Sequence, residues 1–333
     1  MHTIDLSKYS IRTDLLIEDK NLENYQTEVS YIDNIKTELT KSKNNKEHYT
    51  TISFDDVTDK TNFQKVEQVF TSELKKYISK LNLLNTDNVL IVGLGNEKST
   101  PDSLGPKTIK HILVTKYLYS IGDVDKSYQS TSAIAPSVTS ITGIETSRAI
   151  KSLIDATESK LLIVVDSLAA SSITRLNKTI QITDTGIHPG SGVGNNRQEL
   201  NEKSLNIPVV AIGIPTVVDA TTIVSDTFKY MQEQFSYKID HINDPKEKLI
   251  PTKIKDYRNT EPLSEYAKKE ILGEIGTLSE QEFKQLIDEV LTPINYNLMV
   301  TPTEIDFLMD KLSLLIGNGI NKSLHKNFDS TNN

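Results

Sequence analysis

Two aspartates stand where strand-forming sequence gives way to loop, and both have the chemistry of general acids and bases. Asp166 closes the apolar run Leu161-Leu-Ile-Val-Val-Asp166. A carboxylate there is desolvated, so it must be paired or functional. Asp102 lies in Gly93-Leu-Gly-Asn-Glu-Lys-Ser-Thr-Pro-Asp-Ser-Leu-Gly-Pro106, just before a helical pattern. Its plain alternative role is an N-cap, with the carboxylate on the first free amides of that helix. Carboxylates converging at strand ends can share one proton, because like charges a few ångströms apart do not both ionise cheaply. Such a pair can activate water as general base and protonate a leaving amine as general acid. Two independent structural aspartates are the competing reading.

A second chemically loaded stretch is Thr179-Ile-Gln-Ile-Thr-Asp-Thr-Gly-Ile-His-Pro-Gly-Ser-Gly-Val-Gly-Asn195. A shaped glycine-rich loop of that length is usually functional. Asp184 and His188 within it could bind a metal or orient a substrate, although a lone His is more often a hydrogen-bonded structural residue. Missing motifs count against other chemistries. A dinucleotide fingerprint needs a third glycine where Lys98 stands, and no Gly-Lys-Ser/Thr closes a phosphate loop. Gly93 and Gly95 therefore read as positions of positive φ and close backbone approach. There is no His-Glu-x-x-His and no Gly-x-Ser-x-Gly. The absence of Cys rules out disulfides, thiolate metal sites and a cysteine nucleophile.

The elements that would position these residues are strands and crossover helices. Apolar runs at 89–93, 161–165 and 207–213 suit strands buried on both faces. Helical patterns over 105–118, 143–155 and 216–233 alternate with them. That order predicts an α/β fold with a mostly parallel twisted sheet and helices on both faces. Functional groups then collect at the carboxyl ends of the strands, where Asp102 and Asp166 fall. A short strand at 179–182 would extend the sheet or form its edge. Before residue 85 the chain is polar, with a strand at 49–54 and an amphipathic helix at 62–81. Residues 234–290 read as a peripheral insertion, and the C-terminus as a helix pair split near Gly317 and Gly319.

The 333 residues carry a net charge of −8, with Lys and Arg scattered. Direct nucleic-acid binding is not expected, since phosphate contacts need clustered positive charge. No secretory signal is visible, and no apolar run approaches the roughly 18 residues that span a bilayer. A cytoplasmic protein is expected.

The same residues carry a resemblance. Gly93-Leu-Gly-Asn96, Thr100-Pro-Asp-Ser-Leu-Gly-Pro106, Thr142-Gly-Ile-Glu-Thr146, Asp166-Ser-Leu-Ala-Ala170 and Asp184-Thr-Gly-Ile-His-Pro-Gly-Ser-Gly-Val-Gly-Asn195 resemble signatures of the germination protease family. Ile207-Pro-Val-Val-Ala-Ile-Gly-Ile-Pro-Thr-Val-Val-Asp-Ala220, Asn297-Leu-Met-Val-Thr-Pro-Thr-Glu-Ile-Asp306 and Tyr9-Ser-Ile-Arg-Thr-Asp-Leu15 continue it. The resemblance implies a fold similar to the hydrogenase-maturation endopeptidases. It implies hydrolysis of small acid-soluble spore proteins in the spore core, a self-processing zymogen and a homotetramer. It carries the catalytic pair onto Asp102 and Asp166, with Asn96, Thr100, Asp184 and His188 as supporting loop residues. Cleavage after an acidic residue places processing at Asp14 and Leu15, so that 1–14 is a propeptide and 15–333 one peptidase domain. No cofactor is implied by the aspartic reading. Metal-assisted hydrolysis through the same carboxylates, with His188 as a further ligand, and a non-catalytic binding relative are the alternatives. The chain departs from the family at Pro136-Ser-Val-Thr-Ser-Ile and matches it less well over 20–85 and 234–290.

Overall fold

The computed structural model describes residues 14–18, 22–44, 46–122, 124–188, 198–243, 263–291 and 298–328. The chain divides into a larger unit, comprising 12–170, 174–217 and 301–333, and a smaller one, comprising 1–11, 171–173 and 218–300.

The larger unit is built on one sheet. Its strands are β1 (Tyr25–Ile32), β2 (Ile35–Ser42), β3 (His48–Ser53), β4 (Asn88–Gly93), β5 (Thr131–Ile134), β6 (Ser159–Ala170), β7 (Thr179–Thr183) and β8 (Val209–Asp219), the last two residues of which belong to the smaller unit. They lie in the order β1-β2-β3-β7-β8-β6-β4-β5. β4 runs parallel to β5 and β6, whereas β1, β2, β3, β7 and β8 pair successively antiparallel. The α/β class is as expected, but the sheet is mixed, with an antiparallel half. β7 sits inside it, between β3 and β8.

Both faces of the central strands are covered. Val89 and Ile91 of β4 join a core with Phe70 and Leu74 of α1 (Lys60–Ser79), Leu104 of α2 (Leu104–Ile109) and Leu312 and Ile316 of α10 (Ile305–Leu324). Leu90 and Val92 point the other way, onto Ile150 and Ile154 of α5 (Thr146–Thr157) and Leu205 of α6 (Glu202–Leu205). This is the period-2 alternation of a strand buried twice.

The helix expected over 105–118 is two pieces, α2 and α3 (Lys116–Ile121). Asn321 of α10 explains the break: its side chain accepts the Leu113 N–H (2.9 Å) and donates to the His111 carbonyl (2.8 Å), so these groups leave the helical ladder. The pattern over 143–155 is α5, which starts at Thr146 because Gly143, with a φ of 71°, ends a preceding short helix α4 (Thr139–Thr142). Glu145 then caps α5 through the Arg148 N–H. The C-terminal pair is one continuous helix. The hairpin β1–β2 has no counterpart in the sequence reading.

The smaller unit holds α7 (Ala220–Asp240), α8 (Glu265–Leu272), α9 (Glu280–Leu291) and β9 (Met299–Val300), which pairs with Val218 and Asp219. The pattern at 216–233 is thus a strand end followed by α7, with Asp219 as its N-cap rather than inside it. Phe228 and Phe283 stack at 4.3 Å between centroids and join α7 to α9. Among the described residues no helix is long and apolar enough to cross a membrane.

Candidate active site

β4 stops at Gly93, opposite Val165, while β6 continues to Ala170. Asp166 is therefore the first residue of β6 beyond the end of β4, not the end of its own strand. It is buried, at 6% exposure, and its Oδ1 accepts the Ser167 N–H at 2.8 Å.

The chain leaving β4 folds back over this point. Leu94 N–H donates to the Val165 carbonyl at 2.8 Å. Gly95 takes a φ of 110°, open to glycine at little cost, and a Cβ there would meet the Asp102 carbonyl at 2.1 Å. Gly105 lies so close that a Cβ would come within 2.2 Å of the Leu94 carbonyl and 2.6 Å of the Val165 carbonyl. Of the two glycines expected to combine positive φ with close approach, Gly95 does both. Gly93 has no positive φ and only the close approach, 2.2 Å from a Cβ to the Gly105 carbonyl, a role that Gly105 shares.

Asp102 ends a short 3-10 turn, Thr100–Asp102, that contacts β6. The capping position of α2 is Ser103, so the N-cap reading of Asp102 does not hold. Its Oδ2 instead accepts the Asn96 N–H at 2.9 Å, beside its own carbonyl at 3.0 Å. Asn96 in turn accepts the Lys98 N–H on its side chain, and the Thr100 carbonyl accepts both Ser103 N–H and Oγ. Asn96 and Thr100 thus shape the loop that holds Asp102. Thr216, fully buried in β8, donates from Oγ1 to the Pro101 carbonyl at 2.6 Å. Three segments at the ends of β4, β6 and β8 converge here. Thr216 was not singled out from sequence, since a threonine in a strand carries no local signal of a partner more than a hundred residues away.

Asp184 and His188 lie elsewhere. Thr183 pairs with Ala211 near the start of β8, whereas Thr216 holds the Asp102 turn towards its end. Asp184 follows Thr183, and its carboxylate accepts the His48 N–H (2.8 Å) and contacts His48 Nδ1 (2.6 Å), tying β7 to β3. His188 Nε2 lies 3.0 Å from Glu199 Oε1, with more than half of the His188 side chain exposed. Ile187 and Leu200 close the base of this loop by mutual backbone bonds, and residues 189–197 lie outside the described residues. Among the described residues no three His, Asp or Glu side chains gather as metal ligands. A metal at Asp102 and Asp166 would rest on two protein carboxylates.

Asp14 docks beyond Asp166 on the same strand. Its N–H donates to the Ala169 carbonyl at 3.0 Å, and its Oδ2 accepts the Ala169 N–H at 2.9 Å. Leu15 is buried. The remainder of the expected propeptide, 1–13, lies outside the described residues.

The scaffold is α/β, with two aspartate-bearing segments near its strand ends, and comparison with known proteins gives its family. A family model described as germination protease matches residues 5–333. The germination protease of a Geobacillus species is 40% identical over 363 residues, covering 99% of this chain and 98% of that protein. Those of Bacillus mycoides and Bacillus cereus are each 40% identical, covering 99% of this chain and 97% of theirs. The chain belongs to the germination protease family, and is thus a peptidase.

Proposed function

We propose that the chain is an endopeptidase that begins the breakdown of small acid-soluble spore proteins in the spore core, and that Asp102 and Asp166 are its catalytic pair. The observation that supports this reading is that the turn bearing Asp102 contacts β6, the strand on which Asp166 is the first residue past the end of β4. One aspartate, ionised, takes a proton from water as the water oxygen adds to the scissile carbonyl carbon. Its protonated partner donates to the carbonyl oxygen. The tetrahedral species collapses as a proton passes to the leaving amine, freeing the new carboxyl and amino termini. No covalent enzyme intermediate is needed.

In the same reading the chain is a zymogen that removes residues 1–14 by cutting between Asp14 and Leu15, leaving 15–333 as the peptidase domain with 234–290 peripheral, and it works as a homotetramer. Incubating the purified protein with a small acid-soluble spore protein, and sequencing the new N-termini with and without EDTA, tests this. Cuts following acidic residues, unchanged by EDTA, are expected. Activity that EDTA abolishes and a divalent ion restores would replace the aspartic mechanism by the metal-assisted one. A protein that neither shortens nor cuts would leave only a binding role.

A further inference from the structure

The segment that follows Asp14 is held by a side chain that the hydrolytic step does not use. The Gln181 carboxamide brackets Leu15: Nε2 donates to the Asp14 carbonyl at 3.1 Å and Oε1 accepts the Leu16 N–H at 2.9 Å. A primary amide matched to the C=O before a residue and the N–H after it reads main chain, whatever the side chain between. The side chains are read separately. The Asp14 carboxylate takes the Ala169 N–H, and Leu15, at 1% exposure, is enclosed.

These contacts lie on the face of the sheet that carries Asp166. Ile180 and Ile182 of β7, Ile212 and Ile214 of β8, and Ile163 and Val165 of β6 all point into the core shared with α1 and α10. By alternation, Gln181, Gly213 and Asp166 point to the opposite face. Leu168 confirms it by lying over Gly213, where a Cβ would come within 2.3 Å of Leu168 Cδ1. Ala169 is three residues beyond Asp166, about 10 Å along an extended strand.

We propose that Ala169 and Gln181 form a peptide-recognition cradle for an acidic residue followed by an apolar one, filled by Asp14 and Leu15 in the uncut chain and by the matching stretch of a substrate protein in the working enzyme. The proposal rests on the peptidase reading above and adds where the acidic residue is recognised. Gln181 is a substrate-positioning residue: its Nε2 holds the Asp14 carbonyl, which belongs to the bond that processing cuts, and it gives up and takes no proton in the hydrolytic step. The docked segment is then a competitor tethered to its own enzyme.

The test uses the full chain with Gln181→Met, which keeps length and removes both hydrogen bonds, and Gln181→Glu, which keeps an acceptor for Leu16 and loses the donor to Asp14. Two hydrogen bonds of ordinary net strength correspond to a KM for the spore-protein substrate raised about tenfold in Gln181→Met. The kcat should stay within about twofold, with Gln181→Glu between the two. A KM unchanged in a variant that melts like the parent overturns the proposal. Should Gln181→Met fail to fold, the same KM comparison on Gln181→Glu decides. Hydrogen exchange at the Leu16 amide reads the cradle without turnover. It should be slow in Asp166→Asn and fast when Gln181→Met is added, and fast exchange in Asp166→Asn alone overturns the cradle while the peptidase reading stands. Slow exchange in a parent protein that cuts nothing would sink the peptidase reading, and with it the substrate half of this proposal.

Discussion

At the scale of residues, the local sequence makes Asp102 look like a helix cap, and its partner decides otherwise. Its carboxylate turns back to the Asn96 N–H, and Ser103 occupies the cap of α2. What permits the turn is the missing side chain at Gly105, wedged against the Leu94 and Val165 carbonyls. A methyl group there has backbone on both sides and no flexible neighbour to displace. Gly105→Ala should therefore destabilise the protein by about 3 kcal/mol, at the upper end of overpacking costs, and depress peptidase activity further than the fraction unfolded explains. Urea unfolding followed alongside turnover checks both. The burial of Asp166 was legible from sequence because a carboxylate that follows five apolar residues stands out. Thr216 and Gln181 were not, because both sit in strands as ordinary polar residues. Their partners, Pro101 in one case and Asp14 and Leu16 in the other, become neighbours only through the fold.

At the scale of elements, the buried strands β4, β6 and β8 announced themselves as continuous apolar runs, and α1 as an amphipathic period. The hairpin β1–β2 did not. β1 is exposed along nearly its whole length, and the buried positions of β2 include Thr37, Glu38 and Thr40, so no apolar alternation marks either strand. The glycines of α10 misled for a different reason. Gly317 and Gly319 suggest a helix break, yet they lie inside α10 because other atoms need their space. A Cβ on Gly319 would come within 2.3 Å of the Phe70 ring of α1, and one on Gly317 within 2.5 Å of His111 Cβ. Two effects compete in Gly319→Ala: alanine gains about 1 kcal/mol of helix propensity, and overpacking costs about 1–3 kcal/mol. Phe70 is wholly buried and has no room to rotate away, so the cost wins. A net loss of up to about 2 kcal/mol in chemical denaturation is expected. A gain would mean that α1 and α10 pack less tightly than described.

At the scale of the whole molecule, acid stability depends on groups that the fold keeps neutral. His325, buried after α10, has its pKa lowered by desolvation from 6.5 to about 4. Between those values the unfolded chain binds a proton that the folded chain does not, so stability is lost as pH falls through this window and is complete above it. His325→Gln should flatten that part of the pH dependence of the urea midpoint, and an unchanged slope would show that His325 is charged in the folded state. The catalytic claim is tested most directly by measuring cleavage of a small acid-soluble spore protein by full-length Asp102→Asn and Asp166→Asn, each beside the parent at matched folded concentration. If these aspartates divide the acid and base roles, both variants should lose activity by roughly a thousandfold or more and neither should shorten itself, while melting like the parent. Parent-like turnover in either variant would contradict the assignment.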